Sequence, residues 1–141
     1  MHLKEMTRLK SLDLASTHVS DAGTVHLKEM TWLTSLRLSD TGITDVGMNH
    51  LKWVTKLEIL GLWNTQVGDA GMVHLEGMTQ ARILSLSFTK VSDNGLVHLK
   101  GLTKLETLWL TNTQVTAEGV GALQSALPKC NIEFQNVQQT R

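Results

Sequence analysis

One pattern recurs along the chain with a period of 24 residues and no spacer, and this constrains the fold more than any other feature of the sequence. Leu12, Leu36, Leu60, Leu84, Leu108 and Ile132 form one column, and Leu14, Leu38, Leu62, Leu86, Leu110 and Phe134 form another two places on. Threonines follow at 17, 41, 65, 89 and 113, then Val19, Ile43, Val67, Val91 and Val115, then Gly23, Gly47, Gly71, Gly95 and Gly119. Leu27, Leu51, Leu75, Leu99 and Leu123 close the unit. The L-x-L piece has period two, which puts both leucines on one face of a short strand. "GMVHLEGM" instead spaces Met72, Leu75 and Met78 three apart, as on one side of a short helix. A strand–turn–helix unit of this size cannot bury its apolar face alone, so successive units must stack. Strands repeat at about 4.8 Å and helices need about 10 Å, so the stack curves with the strands inside.

The pattern L-x-x-L-x-L-x-x-T-x-V-x-D-x-G-x-x-x-L, as in "LKSLDLASTHVSDAGTVHL" from Leu9 to Leu27, resembles the leucine-rich repeat family in the 24-residue form common in bacterial proteins. The resemblance runs from Leu3 to about Phe134. It implies an α/β horseshoe, a solenoid with a parallel inner sheet of about six short strands and short outer helices. In that family the concave strand face binds partners, usually other proteins. The threonine column stands where many such repeats carry asparagine, and a hydroxyl can make similar bonds to the turn after the strand. The whole chain, 1–141, reads as a single leucine-rich-repeat domain: a partial first repeat over 1–8, about five repeats over 9–128, and a terminal strand and cap over 129–141.

The pattern breaks in three places. Ala81 replaces the first leucine of its unit, which predicts a gap filled by Leu57, Leu105 or a shifted strand, with local distortion of the fourth unit. "ALPKCNIEF" breaks the last helix at Pro128 and suits a terminal strand. At the other end "MHLKEM" matches the helix segments of later units, so either this short helix suffices or the chain is a piece of something longer.

Thirteen basic and thirteen acidic side chains leave no net field, and with no run of like charge neither nucleic acid nor a membrane surface is an expected partner. A lone cysteine, Cys130, allows no intrachain disulfide, and no stretch has the length of a signal peptide core or a membrane span. A soluble, cytoplasmic protein is the expectation.

Several columns invite chemical readings that spacing argues against. His2, His26, His50, His74 and His98 recur once per unit, but on an outer layer about 10 Å apart they cannot share a metal; they read as a solvated ladder that could respond to pH. Asp21, Asp45, Asp69 and Asp93 precede each helix and read as caps. The glycine column reads as room for tight packing or for an unusual backbone angle. Cys130 reads as a structural thiol, and no nucleophile pairs with a base, so no catalytic residue, cofactor or metal ligand is assigned.

Function is expected where the repeat does not dictate the residue. The concave positions are Asp13, Arg37, Gly61, Ser85, Trp109 and Glu133 between the leucines, flanked on one side by Ser11, Ser35, Ile59, Ile83, Thr107 and Asn131. On the other side come Ala15, Ser39, Trp63, Ser87, Thr111 and Gln135. Trp63 and Trp109 are expected about 12 Å apart at the backbone, as walls of one slot with Gly61, Ser85 and Ser87 as floor and Ile59 and Ile83 along a side. Arg37 adds polarity, and Phe88 is a neighbour whose column lies at the strand exit. Tryptophans on a strand face are enriched at binding hot spots. Trp32 and Trp53, beside Gly77 and Gly101, are expected to pack locally on the outside.

The reading is a non-catalytic module that binds a protein or peptide on its concave face. The alternative is a structural segment of a longer repeat protein, or a scaffold associating end to end through its open first strand. Carbohydrate binding and enzymatic activity rank below both.

Overall fold

The computed structural model describes residues 8–135. The helix expected within 1–8, with His2 in it, therefore lies outside the described residues except for Arg8, as does the end of the 129–141 cap. Six three-residue strands, β1 (Ser11–Asp13), β2 (Ser35–Arg37), β3 (Ile59–Gly61), β4 (Ile83–Ser85), β5 (Thr107–Trp109) and β6 (Asn131–Glu133), form one sheet in sequence order. Every neighbouring pair is parallel, in a register that sets equivalent residues side by side: Leu12 on Leu36, Leu36 on Leu60, and so on to Ile132.

Each of the first five strands is followed by a helix: α1 (Asp21–Thr24), α2 (Asp45–Met48), α3 (Asp69–Met72), α4 (Asp93–Leu96) and the longer α5 (Ala117–Ala126). The first four tighten directly into 3-10 turns, Val25–Glu29, Asn49–Trp53, Val73–Leu75 and Val97–Leu99. A unit this short has no room for a longer α-helix, and the tighter turn brings Leu27, Leu51, Leu75 and Leu99 inward, where all four are buried. The core is a series of equivalent layers between sheet and helices, with Leu36, Leu38, Ile43, Met48, Leu51 and Val54 as one of them. The end layers are less covered: Leu9, Leu12, Leu14 and Val19 at one end, Ile132 and Phe134 at the other, are only partly buried.

The turn after each strand uses the threonine column as expected. Thr17, Thr41, Thr65, Thr89 and Thr113 each donate a hydroxyl bond to the carbonyl three residues back, at 2.6–2.8 Å. The residue before each threonine, Ser16, Asp40, Asn64, Phe88 or Asn112, is left-handed, with φ between 55° and 58°. Asparagine and aspartate suit that conformation, whereas a bulky side chain there is an outlier.

Two expectations need correction. The fourth unit is not distorted, because β4 keeps register with both neighbours, and Ala81 is buried with its N–H on the Met78 carbonyl at 3.0 Å. The aspartates are also not caps of their own helices. Asp21 accepts from the backbone N–H of Thr44 (2.8 Å) and from its hydroxyl; Asp69 does the same with Ser92, and Asp93 with Thr116 (2.8 and 2.6 Å). Asp45 accepts from the N–H of Gly68 at 2.6 Å. Each carboxylate thus staples its unit to the next, while the hydroxyls of Thr44, Ser92 and Thr116 cap the helices they precede.

The staple explains the glycine column. No glycine in the structure has positive φ, so backbone freedom is not the reason. At Gly47, Gly71, Gly95 and Gly119 a Cβ would run into Oδ1 of the aspartate belonging to the preceding unit. Glycine is required there because a carboxylate fills its side-chain space.

Candidate functional site

The sheet brings most of the residues picked from the concave columns into one place. A shallow hollow of about 290 Å³ on the strand face is lined by Arg37, Ser39, Ile59, Leu60, Gly61, Ile83, Ser85 and Trp109. Register alone puts Ile59 beside Ile83, and Arg37, Gly61, Ser85 and Trp109 in one row across four strands. Gly61 makes the depression: a Cβ there would meet Ser39 Oγ at 3.1 Å, so any side chain would begin to fill the floor. Arg37 is exposed at one end and Trp109 half-buried at the other. The volume is at the lower end for ligand pockets, suited to one or two side chains rather than a whole small molecule.

Trp63 and Ser87 are not in this hollow. Ser39 of the same column does line it, and the parallel ladder runs on past the Trp109 column, with the Leu62 N–H on the Ser85 carbonyl at 2.9 Å and the Asn64 N–H on the Ser87 carbonyl at 3.0 Å, before the left-handed residue turns the chain. Ser87 is buried, and its hydroxyl accepts from the N–H of Thr111 at 3.1 Å, as Ser39 Oγ accepts from Trp63 at 3.0 Å. These serines brace the strand exits of adjacent units. Trp63 is instead set against Phe88, with ring centroids 5.8 Å apart and planes at 73°, an edge-to-face contact. Trp63 and Phe88 remain 42% and 46% exposed, so the contact leaves aromatic surface open to solvent at the edge of the strand face. Phe88 holds this place at φ 58°, where its neighbours in the column are Asp40, Asn64 and Asn112. Its departure from the column was the sequence signal for this feature.

Elsewhere the surface is occupied by ordinary pairings. Arg82 bridges Glu58 (3.7 Å) and Glu106 (2.6 Å), and its hydrogen bond holds the Glu106 carboxyl below its usual range. His98 Nδ1 meets Glu76 at 2.7 Å. His74 is held below its ordinary value by burial and by the charge of Lys52, against the pull of Asp45. Burial pushes the Cys130 thiol up. Trp32 and Trp53 are about half-exposed, and each lies under a lysine: Lys56 Nζ is 4.0 Å from the Trp32 ring and Lys52 Nζ 5.1 Å from the Trp53 ring. Among the described residues, no cluster of His, Cys, Asp and Glu could hold a metal ion, and no helix is long and apolar enough to cross a membrane.

The sequence matches the family pattern described as Leucine Rich repeat over residues 6–25 and 29–51. Among solved structures, an internalin from Listeria monocytogenes is similar with a TM-score of 0.81 at 27% identity, over 93% of this chain and 36% of that one. Internalin C2 of the same organism is similar with a TM-score of 0.74 at 22% identity, over 95% of this chain and 66% of that one. The leucine-rich-repeat ectodomain of a receptor kinase from Arabidopsis thaliana aligns with a TM-score of 0.59 at 19% identity, over 89% of this chain and 67% of that one. The chain thus spans about a third of the internalin with the highest of these scores. Comparison with curated proteins gives no match.

Proposed function

The chain is a leucine-rich-repeat solenoid, and from that premise we propose that it is a non-catalytic module that seats an extended segment of a partner protein across its strand face. The observation that carries this reading is the hollow over Gly61, between Arg37 and Trp109 and beside Ile59 and Ile83, with the Trp63–Phe88 pair at the nearby strand exits. An apolar side chain of the partner fills the hollow, a carboxylate nearby meets Arg37, and a second apolar side chain lies against the aromatic pair. Two observations support a ligand at the pair. Large apolar rings stand in water, where tryptophan is a frequent hot-spot residue. Phe88 also keeps a left-handed conformation that a bulky residue disfavours, and strain of this kind clusters at functional sites.

Selection from a random peptide display library against the wild-type chain tests the proposal. The expected winners carry an apolar residue and an acidic residue, and lose at least about tenfold in affinity, ~1.4 kcal/mol, against Trp109→Ala and against Arg37→Glu. Peptides that bind both variants as tightly as wild type would refute the site.

A further inference from the structure

The chain has no run of like charge along its sequence, but its period assembles one on the surface. The segments that lead from each helix to the next strand, 28–34, 52–58, 76–82 and 100–106, stack into one flank of the solenoid at the strand entries. In the later segments the charged groups are matched: Arg82 with Glu58 and Glu106, Glu76 with His98, and Lys104 with the Gln80 side-chain oxygen at 2.7 Å. In the earlier two they are not. Lys28, Lys52 and Lys56 are exposed, and so is Lys10, whose carbonyl accepts from the Thr34 N–H at 2.8 Å and so lies beside them. Among the described residues none of these four lysines has an ion pair. The carboxylates of the two segments are Glu29 and Glu58, and Glu58 already serves Arg82.

Two of the ammonium groups lie on indoles instead. Lys56 Nζ is 4.0 Å from the Trp32 ring and Lys52 Nζ 5.1 Å from the Trp53 ring, with 47% and 56% of these tryptophans exposed. An ammonium on a ring takes a face on which a nucleic-acid base would stack. The four cations also belong to successive units, spread over a surface rather than converging on the point where a single carboxylate would sit. A half-exposed indole with a lysine alongside is the pairing of the bilayer interface, where the ring sits at headgroup level and the ammonium reaches the phosphates. A cluster of four lysines is also of the size that holds a protein to anionic lipid, each contributing about fivefold in affinity. We propose that this flank is a docking surface for an anionic phospholipid bilayer, with Trp32 and Trp53 at headgroup level and Lys10, Lys28, Lys52 and Lys56 facing the lipid charges. Docked this way, the chain keeps its strand face open.

Flotation of the whole chain with vesicles of phosphatidylcholine, alone or mixed with phosphatidylserine, tests the proposal. The chain should float with the mixed vesicles only, lose that binding as salt is raised, and show blue-shifted tryptophan emission on the vesicle. Lys52→Glu combined with Lys56→Glu should lower the affinity for mixed vesicles at least about tenfold. Trp32→Ala combined with Trp53→Ala should also lower it, while the salt dependence stays. Lys90→Glu, on the strand-exit side, should leave it unchanged. All five side chains are exposed, and urea midpoints verify that the variants fold. The proposal fails if the chain does not float, floats equally with both kinds of vesicle, or is weakened as much by Lys90→Glu as by the lysine pair. Polyglutamate or a single-stranded oligonucleotide that binds through Lys52 and Lys56, with no vesicle binding, would make the occupant an acidic protein segment or a nucleic acid and would overturn the assignment.

Discussion

Gly95→Ala isolates the joint between units most cleanly. An ideal Cβ at Gly95 would stand 2.5 Å from Asp69 Oδ1, 3.0 Å from Met72 Cγ and 3.2 Å from Val91 Cγ1. Met72 Cγ and Val91 Cγ1 need give only a few tenths of an ångström, but the carboxylate can yield only by leaving Ser92. That move breaks two hydrogen bonds to a charged acceptor, one from the backbone N–H at 2.7 Å and one from the hydroxyl. Such bonds contribute about 1.5 kcal/mol each at the lower end of their range, so the loss is about 3 kcal/mol. Alanine returns about 1 kcal/mol of helix propensity, leaving a net destabilisation of about 2 kcal/mol. Urea unfolding of wild type, Gly95→Ala, Asp69→Ala and the double variant measures the coupling. With Asp69 already removed, Gly95→Ala should cost clearly less, since only the tight contacts with Met72 Cγ and Val91 Cγ1 remain. An equal loss in both backgrounds would show that glycine is there for another reason, and would refute the staple as its cause.

Three further outcomes follow from the same geometry. Phe88→Asn should be more stable than Phe88→Ala by about 0.5–1 kcal/mol, since both lose the Trp63 contact but only asparagine suits the left-handed turn; equal unfolding midpoints would remove the strain argument. His74 has its folded-state pKa held below 6.5, so on acidification the unfolded chain takes up the proton first. Its contribution is absent at higher pH, where the ring is neutral in both states, and becomes a destabilisation as pH falls through 6.5 and then through the lowered value. Unfolding midpoints of wild type and His74→Gln should therefore differ less at pH 8 than at pH 5. Cys130, buried with its pKa raised, should react with a thiol reagent at the rate of unfolding rather than at the rate of a free thiol.

The repeat made most of the fold legible, because each column has one physical reason that holds in every unit. Leu36 and Leu38 are inside for the reason that Leu84 and Leu86 are, and the sheet register follows from the period. The row from Arg37 to Trp109 was legible for the same reason: parallel strands in register align equal columns. The sequence puts Trp63 and Ser87 in one column with Ser39, which does line the hollow. A column does not say where a side chain settles: Trp63 lies against Phe88, and Ser87 Oγ accepts from the Thr111 N–H. In the sequence the aspartates read as caps because a carboxylate beside a helix start suggests one, whereas the partner lies 23 residues away, in the next unit. The glycine column held that information, since a position that must lack a side chain in every unit marks where a neighbour's side chain goes.

The most direct test of the account is a titration of the isotope-labelled chain with a peptide selected against it, followed by amide chemical shifts. The account requires the largest changes on the strand face, at Arg37, Ile59, Gly61, Ile83 and Trp109, with the Trp63 and Phe88 signals moving in the same titration. Changes concentrated on the helical layer, around Trp32 and Trp53 or the histidine column, with the strand face still, would contradict it.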